Sequence, residues 1–498
     1  MDIEHIKAAD SASVDQSVQD ARDLATMGHD QALTRKFDLW SMLALAFCVL
    51  GTYSTFAQGL SSGLTNGGPI TILWGLVLVT VCNLCVAVSL GELTSSMPTA
   101  LGQAYWVYRL WHTPTGRFVS YLCAWINTFG WWTLTASQIA FMTEFLLGMK
   151  VMFDEKWGGA GVGWLQFVIY LGLVLVLTGV NVVGCRREKI LPWLNGFVGV
   201  WFTGLFVVLS LALLISVGTK ADLSFQPGRF VFGAWMNQTG WSDGVVWFTG
   251  LVQAAYGLTA FDAVIHMVEE MPAPRINAPR VTYLAVLSGA VTGGGAALIA
   301  LFIFNGVGQG ISILTTASRL TWGFARDGGL PWSRYLTVVD PAWKAPVRAL
   351  WAQGVLIALV GVLYLFANTV LEAILSVSTI ALTISYALPI AVLQRVGRDQ
   401  LPPGPFRLGR WGTAVNWVSI VYCAITTVFF FFPGSPDPAP GDMNYAIAVF
   451  GVMLVVAVGF WFLQGSRTYL QTADAIAQLI LAQGLELEPE PPKKKSDS

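Results

Sequence analysis

Asp262 and His266 stand four residues apart in the stretch GLTAFDAVIHMVEEMPAPRINAPR, Gly257 to Arg280, and Glu269 and Glu270 follow directly. Residues four apart share a helix face, so the carboxylate and the ring can meet. Such a pair can accept an ammonium group or relay a proton, because imidazole titrates near neutral pH and a carboxylate offers two acceptor oxygens. The plainer readings are a hydrogen-bonded packing carboxylate and a satisfied core histidine. Glu269 and Glu270 read as a gate closed by ion pairs with arginines such as Arg275 and Arg280, or Arg109 and Arg117. Exposed pairs of that kind are worth about 0–1 kcal/mol each and open at small cost.

The elements that must position these groups belong to a bilayer. Of the 498 residues, 55% are hydrophobic, 11% are charged and 21 are tryptophan. The mean hydropathy is +0.61. A soluble chain carries about 25% charged residues. Apolar runs such as Ile70 to Leu90, Leu165 to Val183 and Ala446 to Leu463 can each cross a core of about 30 Å as a helix. About twelve spans are expected between residues 37 and 464, with 1–36 and 465–498 as cytoplasmic tails. The first 36 residues lack the apolar core of a signal peptide, so the span beginning near Phe37 is expected to insert the chain. Ser466 to Leu485 reads as an amphipathic surface helix, and ELEPEPPKKKSDS as a solvated end. Lys and Arg cluster in alternate loops, which places both termini in the cytoplasm and the sequon Asn237-Gln-Thr239 outside. A net charge of -1 argues against a nucleic-acid partner. Cys82 and Cys85 form a CxxC within an apolar run and read as packing residues, not as a disulfide or a metal site.

A bare carboxylate within a span costs about 2.5–3.5 kcal/mol, which something must offset. The sixth span, 244 to 268, carries a break around Tyr256 and Gly257; the first, 37 to 62, has another at Gly51, Thr52, Tyr53 and Ser54. Taken singly, each is a packing glycine. At matching positions of two inverted sets of five helices, they point to a binding site, since unwound backbone at mid-depth is tolerated where it lines a cavity. The expected substrate contacts are therefore Gly51, Thr52, Tyr53, Ser54, Trp131, Tyr256, Gly257, Phe261 and Asp262, the rings serving a quaternary ammonium group. Asp262, His266, Glu269 and Glu270 are the candidates for proton relay or gate. Thr315, Thr316 and Ser318 could offer hydroxyls to a sodium ion against carbonyls near Gly51. Spans seven and eight share only Val281 to about Arg319, so two short helices with a tight turn near Asn305 and Gly306 are expected, a hairpin short of the far side being the alternative. HExxH and paired-acid motifs are missing, and no metal, cofactor or enzyme chemistry is expected.

GLSSGLTNGGP, GELTSSMPTALGQAYWVYRL, FDAVIHMVEEMPAPRINAPR and ASRLTWGFARDGGLPWSRYL resemble stretches of the amino acid-polyamine-organocation superfamily. Within it, the chain is similar to the fungal amino acid/choline transporter family, over nearly all of Phe37 to Gln464. The resemblance implies an all-α membrane fold, the LeuT-type five-plus-five inverted repeat with two additional helices. It also implies a secondary transporter of amino acids, GABA or choline-like amines, coupled to protons with sodium as the other candidate, at the plasma membrane. Two departures stand out: relatives have a longer segment between SGAVTG and TTASRLTW, and Leu101 replaces a glycine. The fifth span, Ile190 to Val217, has no lysine to replace a coupling ion as in some proton-coupled relatives. A non-transporting sensor or an inactive shortened isoform is the alternative.

Overall fold

The structure is a computed structural model that describes residues 16–187, 189–219, 226–293, 302–365, 370–438, 443 and 445–471. Among them the chain is helical, with two isolated bridges, Asn66–Asn237 and Asp340–Ala345. A helix over 16–26 (α1) precedes Leu39–Leu50 (α2), Thr52–Gln58 (α3), Leu60–Thr65 (α4), Pro69–Ser96 (α5), Gln103–Leu110 (α6), Pro114–Phe153 (α7), Gly163–Cys185 (α8) and Ile190–Thr219 (α9). Next come Gly228–Gly233 (α10), Asp243–Gly257 (α11), Ala263–His266 (α12), Pro274–Gly293 (α13) and Phe302–Arg326 (α14). Ser333–Leu336 (α15), Val347–Gly361 (α16), Val370–Val396 (α17), Gly412–Phe429 (α18), Ala446–Phe460 (α19) and Ser466–Thr468 (α20) complete the order.

Among the described residues eight helices are long and apolar enough to cross a membrane. Their faces are inverted relative to a soluble protein: Trp164, Val200, Val455 and Phe462 are exposed, whereas Asp262, Glu269, Glu270 and Arg319 are buried. Hydrocarbon accepts that arrangement, because lipid tails solvate the apolar side chains while charged groups pair inside.

The central post is α7. Thr113 caps its start by accepting from the Gly116 N–H at 3.0 Å, and Pro114 sits in the first turn, where a helix needs no N–H. Most of the residues on α7 that meet the site, from Asn127 to Ser137, are buried. The post packs along α17 and α14, while α13 lies along α5. The tight turn expected near Asn305 and Gly306 is not there: both residues lie inside α14. A single glycine costs a helix only about 1 kcal/mol, less than freeing backbone groups in an apolar setting. With 20 and 25 residues, α13 and α14 are each long enough for a core of about 30 Å. Gly294 and Gly295, in the connecting 294–301, lie outside the described residues.

Residues ahead of α2 pack across one end of the bundle. Asp20 Oδ2 accepts from the Ala273 N–H at 2.9 Å, Arg35 donates to the Met271 carbonyl at 2.6 Å, and the Lys36 and Phe37 N–H groups donate to the Glu270 carbonyl at 3.0 Å each. The other end of the described chain meets the same face. The surface helix expected from Ser466 breaks after Thr468, because Tyr469 turns inward, fully buried, to bond Ser120 at 2.9 Å against the Tyr121 and Phe324 rings. Beyond 471 that expectation lies outside the described residues.

Candidate functional site

Two helix interruptions face each other. α2 stops at Gly51, whose φ of 51° and ψ of 33° are left-handed and suit glycine, and α3 starts at once with Thr52. α11 ends at Gly257, and the chain runs irregularly to α12 through Ala260, held at φ 71°. A left-handed alanine costs about 1–2 kcal/mol. The interruptions touch: Thr52 Oγ1 donates to the Gly257 carbonyl at 2.7 Å, and a Cβ on Gly257 would lie 2.7 Å from Thr55 Oγ1. Side chains meet other backbone groups released here. Asn83 Nδ2 donates to the Leu258 carbonyl at 3.1 Å, and the Ala260 N–H donates to Tyr386 Oη at 3.2 Å. At the first break Gln309 Nε2 donates to the carbonyls of Val49 at 3.2 Å and Leu50 at 3.4 Å.

Asp262, fully buried, lies at the foot of the second interruption. Tyr386 Oη donates to its Oδ1 at 2.6 Å. Its Oδ2 accepts from Gln103 Nε2 at 2.9 Å and Trp131 Nε1 at 3.4 Å, and lies 3.1 Å from His266 Nε2. On the far side of the ring, His266 Nδ1 lies 2.8 Å from the Ala100 carbonyl, which can only accept, so Nδ1 carries a hydrogen. Asn127 Nδ2 lies 3.2 Å from Nε2 and donates to Gln103 Oε1 at 3.1 Å. Acid, imidazole and amides thus form one buried polar cluster.

The two glutamates do pair with cations, but not with the arginines expected. Glu269 accepts from Arg326 at 2.8 and 3.0 Å, and from the Ala100 N–H at 3.0 Å. Glu270 binds Arg319 Nε at 2.6 Å and Lys36 Nζ at 2.9 Å. Arg275 instead reaches Asp23 and the Ser95 carbonyl, and Arg117 the Ser466 carbonyl. Spacing cannot reveal partners that lie on α14 and ahead of α2. Nor are the pairs exposed: Glu269, Glu270 and Arg319 are each at most 2% accessible, so removing one partner costs far more than a surface pair would.

The hydroxyls expected to face sodium donate to protein acceptors. Thr315 donates to Asn181 and to the Ile311 carbonyl, Thr316 to the Ser312 carbonyl at 3.1 Å, and Ser318 to the Thr315 carbonyl at 2.6 Å while accepting from Arg319 at 2.9 Å. Gln309, one turn and a half earlier on α14, is what meets the carbonyls before Gly51. Phe261 is fully buried with its ring 5.1 Å from that of Tyr386, and Ser54 is buried in α3. The Tyr53 side chain lies outside the described residues. Tyr256, bonded to Ser137 at 3.0 Å, belongs to the lining of a cavity of about 660 Å³ that includes Thr55, Asn66, Phe141 and Gln253.

Gln103, Asn127, Tyr386, Lys36 and Gln309 were not singled out from the sequence. Each is a polar residue in or beside an apolar run, the signal that marked Asp262, and Gln103 lies inside one of the resembling stretches.

The amino acid permease family profile matches residues 37–306 and 293–455, two segments that overlap across the link between α13 and α14. The choline transporter of Saccharomyces cerevisiae is 27% identical, over 88% of this chain and 83% of its own length. The GABA-specific permease of the same yeast is 26% identical, over 90% and 84%. An amino-acid permease of Arabidopsis thaliana is 25% identical, over 88% and 93%. Their names describe transport and no enzyme chemistry. The profile covers most of this helical membrane chain, which therefore belongs to the amino acid permease family.

Proposed function

We propose that the chain is a proton-coupled secondary transporter that moves amino acids, GABA or choline-like amines by alternating access. In this reading residues 37–464 form a LeuT-type core of two inverted sets of five helices, with about twelve crossings in all. Residues 1–36 and 465–498 are cytoplasmic, and the protein works at the plasma membrane. The observation that carries the proposal is the buried contact of Asp262 with His266, 3.1 Å apart, at the foot of a helix break. Glu269 and Glu270, tied to Arg326, Arg319 and Lys36, form the inner gate. The cavity reaching Tyr256 is the outer path, and substrate meets Gly51 to Ser54, Trp131, Tyr256, Gly257, Phe261 and Asp262 as the breaks open. Names of the relatives supply the substrate class: choline, GABA and amino acids. Protons are favoured over sodium because Gln309 already donates to the carbonyls a cation would use, and Arg319 already lies beside Ser318. The test is uptake of labelled GABA, choline and amino acids by cells lacking their own amine permeases, at two pH values, with and without sodium. Saturable uptake that rises with external acidity and ignores sodium is expected; uptake that requires sodium and ignores pH would replace the proton.

A further inference from the structure

Segments from both ends of the described chain meet at Asp327, just past α14. Its carboxylate lies 2.6 Å from the His29 ring, and its backbone carbonyl accepts from the Leu470 N–H at 2.9 Å. Leu470 is held at φ 58°, a conformation that a leucine keeps only where its surroundings fix it. Thr468 Oγ1 donates to the Gly328 carbonyl at 2.7 Å. Between these bonds Tyr469 is a wedge: its ring, fully buried, lies 5.2 Å from that of Tyr121 on α7 and 6.0 Å from that of Phe324 on α14. Ser120 Oγ spends its hydrogen on the Ala104 carbonyl at 2.6 Å, so Tyr469 donates the 2.9 Å bond to Ser120. Arg319 and Arg326, which hold Glu270 and Glu269, lie near the end of the same α14. The segment ahead of α2 spans both halves of that gate, since Gln31 donates to the Glu269 carbonyl at 2.9 Å and His29 meets Asp327. Moving the α14 end away from α7 and the glutamates therefore means withdrawing Tyr469 and parting His29 from Asp327.

We infer that residues 465–471 are a clasp on the inner gate, with Tyr469 holding the α14 end where its arginines close on the glutamates; the inference rests on the gate assigned above. Cysteines already in the chain can report on it. Cys123 lies one turn beyond Ser120 on α7, Cys185 lies 3.8 Å from Arg319 Nη2, and Cys48 and Cys423 sit in α2 and α18; all four are at most 3% accessible. Their alkylation by a membrane-permeant maleimide would be followed by peptide mass spectrometry in the full chain for wild type, Tyr469→Ala and Tyr469→Phe. Couplings between sites amount to about 5- to 150-fold, so Tyr469→Ala is expected to quicken Cys185 about tenfold along with Cys123, while Cys48 and Cys423 keep their wild-type rates. Tyr469→Phe keeps the ring and should quicken Cys185 less. Quickening of Cys123 alone would make Tyr469 a packing residue, and quickening of all four would mean general loosening; either overturns the clasp, as does an unchanged Cys185. Glu270→Gln in the same assay separates the two readings. If it exposes Cys185 and Tyr469→Ala does not, the gate stands and the clasp fails. If both expose Cys185 selectively in a chain that takes up no substrate, the clasp stands and the transport reading fails.

Discussion

Glu270→Gln attacks the inner gate with almost no change of shape. Glu270 holds Arg319, which is fully buried, and Lys36, so the substitution leaves two cations facing a neutral amide. Removing one partner of a buried pair costs about 3–5 kcal/mol, because the remaining charge stays desolvated. Opening the gate lets water reach Arg319 and relieves that cost. If about 3 kcal/mol is relieved, the open population rises about 10²-fold, each 1.4 kcal/mol being tenfold. The chain carries its own reporter: Cys185, 3% accessible, lies 3.8 Å from Arg319 Nη2. Alkylation of Cys185 by a membrane-permeant maleimide, read by peptide mass spectrometry, should quicken by about two orders of magnitude in Glu270→Gln. Replacing Arg319 with methionine in the same chain removes the stranded charge and should return labelling toward the wild-type rate. Unchanged labelling in Glu270→Gln, from protein present in the membrane, would refute the assignment of this pair as a gate.

Asp262→Asn should reach the membrane, with a stability loss of about 1–3 kcal/mol because Gln103 and Trp131 lose an acceptor, yet no longer accumulate substrate against a gradient; membrane abundance and accumulation ratio check the two halves. Gly51→Ala places a side chain at φ 51°, with its Cβ 2.4 Å from Gln309 Nε2, so it should push that amide off the Val49 and Leu50 carbonyls and lower the melting temperature by the equivalent of about 1–3 kcal/mol. Asp327, just past α14, is raised by burial but held below the usual carboxylate range overall by His29, 2.6 Å away, and by Arg326. Stability from a depressed carboxylate is present above its unfolded value of about pH 4 and is lost as pH falls through the lower folded value. The wild-type melting temperature should therefore drop more steeply below about pH 4 than that of His29→Ala.

What could be read before folding was what local chemistry carries. Polar residues in apolar runs marked Asp262 and His266, and glycine beside small residues marked the interruptions at Gly51 and Gly257. Pairing over long separations was not legible. Tyr386 is 124 residues from Asp262, Gln103 is 159, and Arg319 is 49 from Glu270, so no spacing rule joins them. Spacing likewise does not say that Gln309, six residues before Thr315 on the same helix, reaches the carbonyls of the first break. The turn placed at Asn305 and Gly306 overweighted a single glycine against the cost of open backbone in an apolar setting.

The central claim is that a proton held by Asp262 and His266 moves with the substrate. The most direct measurement uses purified chain in liposomes that enclose a pH-sensitive dye, with no starting pH gradient, and adds a labelled substrate outside. The account predicts that the lumen acidifies as substrate enters, and that liposomes containing Asp262→Asn show no acidification. Substrate entry through the wild-type chain at constant lumenal pH would contradict it.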